Sequence, residues 1–68
     1  MNKENIYVVI DSESKRVRAI QILNDAGENI DSELYYGNYL QSIRFYDNQW
    51  IWTSINNLTE ITLDKLEE

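Results

Sequence analysis

A chain of 68 residues makes one domain, and 12 acids against 6 bases give it a net charge of −6. It has no cysteine and no histidine. That excludes disulfide staples, Ser–His and Cys–His nucleophilic sets and the usual zinc ligand sets, while the sign of the charge opposes binding to a phosphate backbone.

In chain order, Ile6–Ile10 is a short apolar, β-branched run that reads as a strand. Asp11–Lys15 is polar and turn-like, and Arg16–Leu23 reads as a second strand, completing an N-terminal hairpin. Val17, Ala19 and Leu23 would share one face of it, and Arg16 and Arg18 the other, as a small basic spot answered by Asp11 or Glu13. Asn24–Gly27 reads as a type I turn ending in a left-handed glycine.

Residues 28–41 admit two readings. Asp31 or Ser32 could cap a short helix over 33–42, with Tyr36, Tyr39, Leu40 and Ile43 at helical spacing. The mid-segment Gly37 and the tyrosines favour instead an extended edge segment Leu34–Tyr36, kinked at Gly37 and leading into the next strand.

The clearest element runs from Ile43 to Thr53. Asp47-Asn48 lies in its middle, and both residue types tolerate the positive φ of tight hairpin turns. With those two as the loop, Phe45 pairs with Trp50 and Ile43 with Trp52, all on one face; Arg44, Tyr46, Gln49 and Ile51 take the other. A loop one residue later, at Asn48-Gln49, still keeps Phe45, Trp50 and Trp52 together. Ser54–Leu58 then reads as a turn or a single 3₁₀ turn, and Thr59–Asp64 as a strand with Ile61 and Leu63 inward. The rival for the last segment is a short helix over 60–67.

Four strands, a short turn and a fifth strand resemble a small five-stranded antiparallel SH3-like barrel, an all-β fold. The Ala-Leu-Tyr-Asp-Tyr-type run and the last-loop proline of SH3 peptide-binding domains are absent, so this resemblance carries no binding site with it. The alternative is an α+β fold, a three- to five-stranded antiparallel sheet with one short helix around 33–42 or 60–67.

The chemistry-bearing residues are few. Carboxylates are scattered over turns and termini, and residues 25–31 lack the alternating ligands and closing glutamate of an EF-hand calcium loop. A barrel this small has little room for a ligand pocket. No catalytic residue, metal ligand or cofactor is therefore assigned, and the chain is expected not to be an enzyme. Phe45, Trp50 and Trp52 are expected to form the core. Five tyrosines exceed what that core can hold, which leaves Tyr35, Tyr36, Tyr39 and Tyr46, beside Arg44, as candidate partner-binding residues. Asp25, Glu28, Asp31 and Glu33 flank a turn, are expected to be exposed, and are the candidates for steering towards a basic surface.

The expected function is a small acidic, non-enzymatic protein-binding module. Its sharpest form is an inhibitor or adaptor of the kind phages and mobile elements encode, with acids standing in for phosphates on a basic, nucleic-acid-binding target. Two other readings stand beside it: a single-strand nucleic-acid binder using an aromatic face, and a structural subunit that pairs with its own copy through an edge strand, a homodimer. No apolar run is long enough to span a membrane and the polar start is no signal peptide, so a cytoplasmic location is expected, in the host if the gene is a phage's.

Overall fold

A computed structural model of the chain describes residues 3–36, 41–54 and 57–67. A 3₁₀ turn, Lys3–Asn5, leads into strand β1, Ile6–Ile10, and then helix α1, Glu13–Asp25. A second 3₁₀ turn, Ser32–Tyr35, precedes β2, Gln41–Tyr46, and β3, Gln49–Thr53. Strand β4, Thr59–Ile61, and helix α2, Leu63–Glu67, end the chain. The sheet order is β3-β2-β1-β4, with β1 antiparallel to β2, β2 antiparallel to β3, and β4 parallel to β1.

This is an open mixed sheet with helices, not a closed five-stranded antiparallel SH3-like barrel. The α+β alternative fits, with a helix at 63–67 inside the 60–67 segment. Its largest helix nevertheless stands where the second strand was expected. Ser12 has extended backbone and its hydroxyl accepts from the Lys15 N–H at 3.3 Å, so the polar stretch read as a turn is an N-cap. Arg16, Ala19, Ile20 and Leu23 fall at i, i+3, i+4 and i+7, and the last three are buried. Arg16 and Arg18 consequently diverge instead of sharing a strand face.

At the other end of α1, Gly27 is left-handed as expected (φ 75°), but it closes a helix and not a hairpin. The Glu28 N–H donates to the Leu23 carbonyl at 2.9 Å and the Gly27 N–H to the Asn24 carbonyl at 3.0 Å, which is the Schellman arrangement. In the 33–42 segment, the capping role falls to Asp31, whose Oδ1 accepts from the Glu33 N–H at 3.2 Å, but only a 3₁₀ turn follows. Tyr36 is extended, and the kink proposed at Gly37 lies outside the described residues. The last segment is both of its readings in succession, strand to Ile61 and helix from Leu63. The turn expected at 54–58 falls partly outside the described residues.

The central hairpin is as the sequence predicts. Phe45 faces Trp50, Ile43 faces Trp52, and Asp47 and Asn48 both hold positive φ, 54° and 68°. Ile6, Val8 and Ile10 of β1, Ile43 and Phe45 of β2, and Trp50 of β3 face Ala19, Ile20 and Leu23 of α1, with Leu34 closing the layer. Trp52 packs against this core but is only half-buried.

The two tryptophans should therefore differ in weight. Trp50 is 1% exposed, and W50A should cost roughly 3–5 kcal/mol, the range for deleting a large core aromatic. W52A should cost clearly less. Urea melts of both variants check this order; equal midpoint shifts would place Trp52 as deep in the core as Trp50.

Candidate functional site

The helices lie on one side of the sheet. Side chains directly opposite on paired strands point the same way, so the register defines the other side. Its central row runs Glu60, Tyr7, Arg44, Ile51 across β4, β1, β2 and β3. Val9, Ser42 and Thr53 form a row on one side of it, and Tyr46 with Gln49 a row on the other. No helix covers this face among the described residues. Outward positions of a half-solvated antiparallel sheet are normally polar. Here Tyr7, Val9, Tyr46 and Ile51 share them with Ser42, Arg44, Gln49, Thr53 and Glu60.

Arg44 sits at the centre of this face. Its guanidinium carbon lies 5.0 Å from the centroid of the Tyr46 ring. Its Nε is buried and has no hydrogen-bond partner among the described residues. The Tyr7 hydroxyl donates to Glu60 Oε1 at 3.4 Å, so the nearest acid in the row is turned towards Tyr7.

The tyrosine candidates divide into two places. Tyr46, 57% exposed, belongs to the open face with Arg44. Tyr35 and Tyr36 are exposed at the end of the 3₁₀ turn, on the helix side. There Arg16 donates from Nη1 to the Leu34 and Tyr35 carbonyls at 3.2 and 3.1 Å and forms an ion pair with Glu13 at 3.5 Å. Tyr39 lies outside the described residues. Tyr7 and Val9 are the open-face members that sequence reasoning missed. The sequence carries no clear signal for them: Ile6–Ile10 is apolar throughout, and the alternation of buried and half-buried positions appears only in the fold.

The four acids do not act as one exposed set. Asp25 and Glu33 are exposed, but Glu28 and Asp31 hold structure. Glu28 Oε1 accepts from the Trp50 indole N–H at 2.9 Å, and both its oxygens accept from Lys3 Nζ, at 2.9 and 3.2 Å. Lys3 also lies 4.3 Å from the centroid of the Phe45 ring. The hydrogen bond from Trp50, then that from Lys3, hold the Glu28 carboxyl below the ordinary glutamate pKa, against the opposing effect of burial. Asp31 caps the 3₁₀ turn, and its N–H donates to the Trp50 carbonyl at 2.9 Å.

The topology still gathers negative charge at one end. Helix α1 returns antiparallel to β1, so its C-terminal residue Asp25 comes to the end where β1 starts and the hairpin turns. Lys3 bridges to Glu28 there, and the Asn29 side-chain amide donates to the Asn48 carbonyl at 3.1 Å. Glu4, Asp25 and Asp47 thus share an end with the negative pole of α1.

Two surface clefts are larger than so small a chain was expected to hold. One, of about 370 Å³, opens between α1 and the β4–α2 corner, with Val8 and Ile61 in its lining beside Lys15, Arg18, Glu60 and Asp64. The other, of about 300 Å³, lies between α1 and α2, with Leu66 at its wall. Lys15 is held by Asp11 at 3.1 Å. Among the described residues no group of three or more acids could hold a metal ion, and no helix is long and apolar enough to cross a membrane. No family model, curated protein or solved structure matches the chain.

The lowered pKa of Glu28 gives a signed expectation. A carboxylate whose folded pKa is depressed contributes stability that is present above its unfolded value and is lost as pH falls through the folded one. Wild type should therefore melt higher than E28Q at neutral pH, and the gap should close as pH drops through and below the ordinary glutamate range. Thermal melts from pH 7 to pH 3 check it. A gap that persists at the acid end would mean that Glu28 acts through shape and not charge.

Proposed function

We propose that the protein is a small acidic protein-binding module that acts by association and not by catalysis. The observation that carries this reading is the composition of the open sheet face. Two tyrosines, two aliphatic side chains and an arginine stand among the polar residues of this face, and tyrosine and arginine are enriched in protein interfaces and their hot spots. The acidic end adds long-range steering towards a partner whose surface is basic overall, with Glu4, Asp25 and Asp47 as the steering charges. A cytoplasmic location suits such a module.

The nucleic-acid alternative has one specific observation in its favour. Tyr7 and Tyr46 flank Arg44, and base stacking uses such platforms. The protein reading ranks above it because Arg44 is the cation the described residues place on that face, and the net charge of −6 repels a phosphate backbone.

Affinity capture with matched baits tests the module reading. The full chain should retain a partner that a doubly altered chain, Y46S with I51S, loses, while circular dichroism shows both baits folded. Capture should also weaken as salt rises. A set of captured proteins that is unchanged by the face substitutions would overturn the reading. So would tight, salt-sensitive binding of a labelled single-stranded oligonucleotide.

A further inference from the structure

Three of the six cations are held by acids among the described residues. Lys3 is held by Glu28, Lys15 by Asp11 and Arg16 by Glu13, and Arg18 and Lys65 also have interaction partners. Arg44 has neither an ion pair nor a hydrogen bond among the described residues. Acids outnumber bases two to one in this chain, so a cation left without an acid is unexpected on charge statistics alone.

Its surroundings are built for reception. The row across the strands sets Tyr7 on one side of it and Ile51 on the other, and the Tyr46 ring lies under the guanidinium. The Nε is shielded from solvent and has no acceptor among the described residues, so the outer guanidinium nitrogens are what this face offers to a ligand. An arginine fork suits two-pronged recognition of a carboxylate, and here it lies within cation–π distance of the Tyr46 ring.

We propose that the open face docks an extended peptide segment of a partner protein that carries an aspartate or glutamate between apolar residues, with the carboxylate on Arg44 and the apolar neighbours over Val9, Ile51 and Tyr46. This rests on the module reading and refines it. Electrostatic complementarity is read here in both directions. An acidic molecule steers towards a basic surface, and one cation at its contact face marks where that surface presents an acid. The same arrangement disfavours partners with a lysine at that place, because two unscreened like charges would then be buried together.

The test uses the full ¹⁵N-labelled chain and three probes: the capped peptide acetyl-Val-Glu-Tyr-amide, its glutamine counterpart, and a single-stranded oligodeoxythymidine. The glutamate peptide should shift the Arg44 Nε–H resonance and the amides of Tyr7, Tyr46 and Ile51, with little change at the Arg18 Nε–H. The glutamine peptide and R44Q should each bind roughly tenfold more weakly, the loss of one charge-assisted pair. R44K, which keeps the charge and loses the fork, should fall between. Equal binding of the two peptides, shifts spread evenly over the arginines, or preference for the oligonucleotide would each overturn the proposal. The outcomes also separate the two readings. A partner lost on the Y46S/I51S substitutions but retained by R44Q refutes the carboxylate site and leaves the binding module standing.

Discussion

Trp50 ties together more of this molecule than any other side chain. Its indole is buried between sheet and helix, and it meets the Phe45 ring edge-on with centroids 5.7 Å apart. Its main chain takes Asn29 and Asp31 as partners, which fixes the segment after α1 alongside β3 and occupies that edge of the sheet. Its one polar atom reaches Glu28, and Glu28 in turn holds Lys3 over the Phe45 ring. A buried indole N–H without an acceptor is costly. The position of Glu28, three residues past the helix end, is therefore a requirement of the core and not a decoration of the surface.

What was legible in the sequence was what local geometry decides. The hairpin needs only two residues tolerant of positive φ and a period of two in the flanking apolar groups, so its register follows from Asp47-Asn48 alone. Helix α1 was hidden because Val17, Ile20 and Ile22 are β-branched and their alternation is easily matched to a strand. The deciding signals were the two ends. Ser12 and Gly27 bracket thirteen helical residues as N-cap and left-handed C′. Each was read singly, as part of a turn, and a turn is what either residue suggests in isolation.

The candidate site was half legible for the same reason. Arg44, Tyr46, Gln49 and Ile51 share a face by hairpin parity, and that part needed no tertiary information. Tyr7 and Val9 join them only because β1 pairs with β2 in one particular register, across more than thirty residues of intervening chain. The acids show the opposite failure. Glu28 and Asp31 lie in a polar stretch and look solvated, yet long-range contacts with Trp50, Lys3 and the 3₁₀ turn draw them into structural roles. Net charge is therefore a poor guide to which carboxylates are available to a partner.

The two electrostatic features of the molecule act over different distances, and this resolves their apparent conflict. Glu4, Asp25, Asp47 and the C-terminal end of α1 project a field that falls off over about 8–10 Å at physiological salt. In the proposed module that field would orient an approaching partner and set how fast encounters occur. Arg44 is flanked by Tyr7, Tyr46 and Ile51, and its charge is felt only once water has been excluded from the sheet face. An exposed lysine in its place would be screened and hydrated, whereas the Arg44 guanidinium lies 5.0 Å from the Tyr46 ring centroid with its Nε shielded from solvent. Part of the guanidinium is thus already out of water in the fold, and in the proposed module a carboxylate would meet its outer nitrogens. In the proposed module, steering would fall to the hairpin end of the sheet and locking to the centre of its open face.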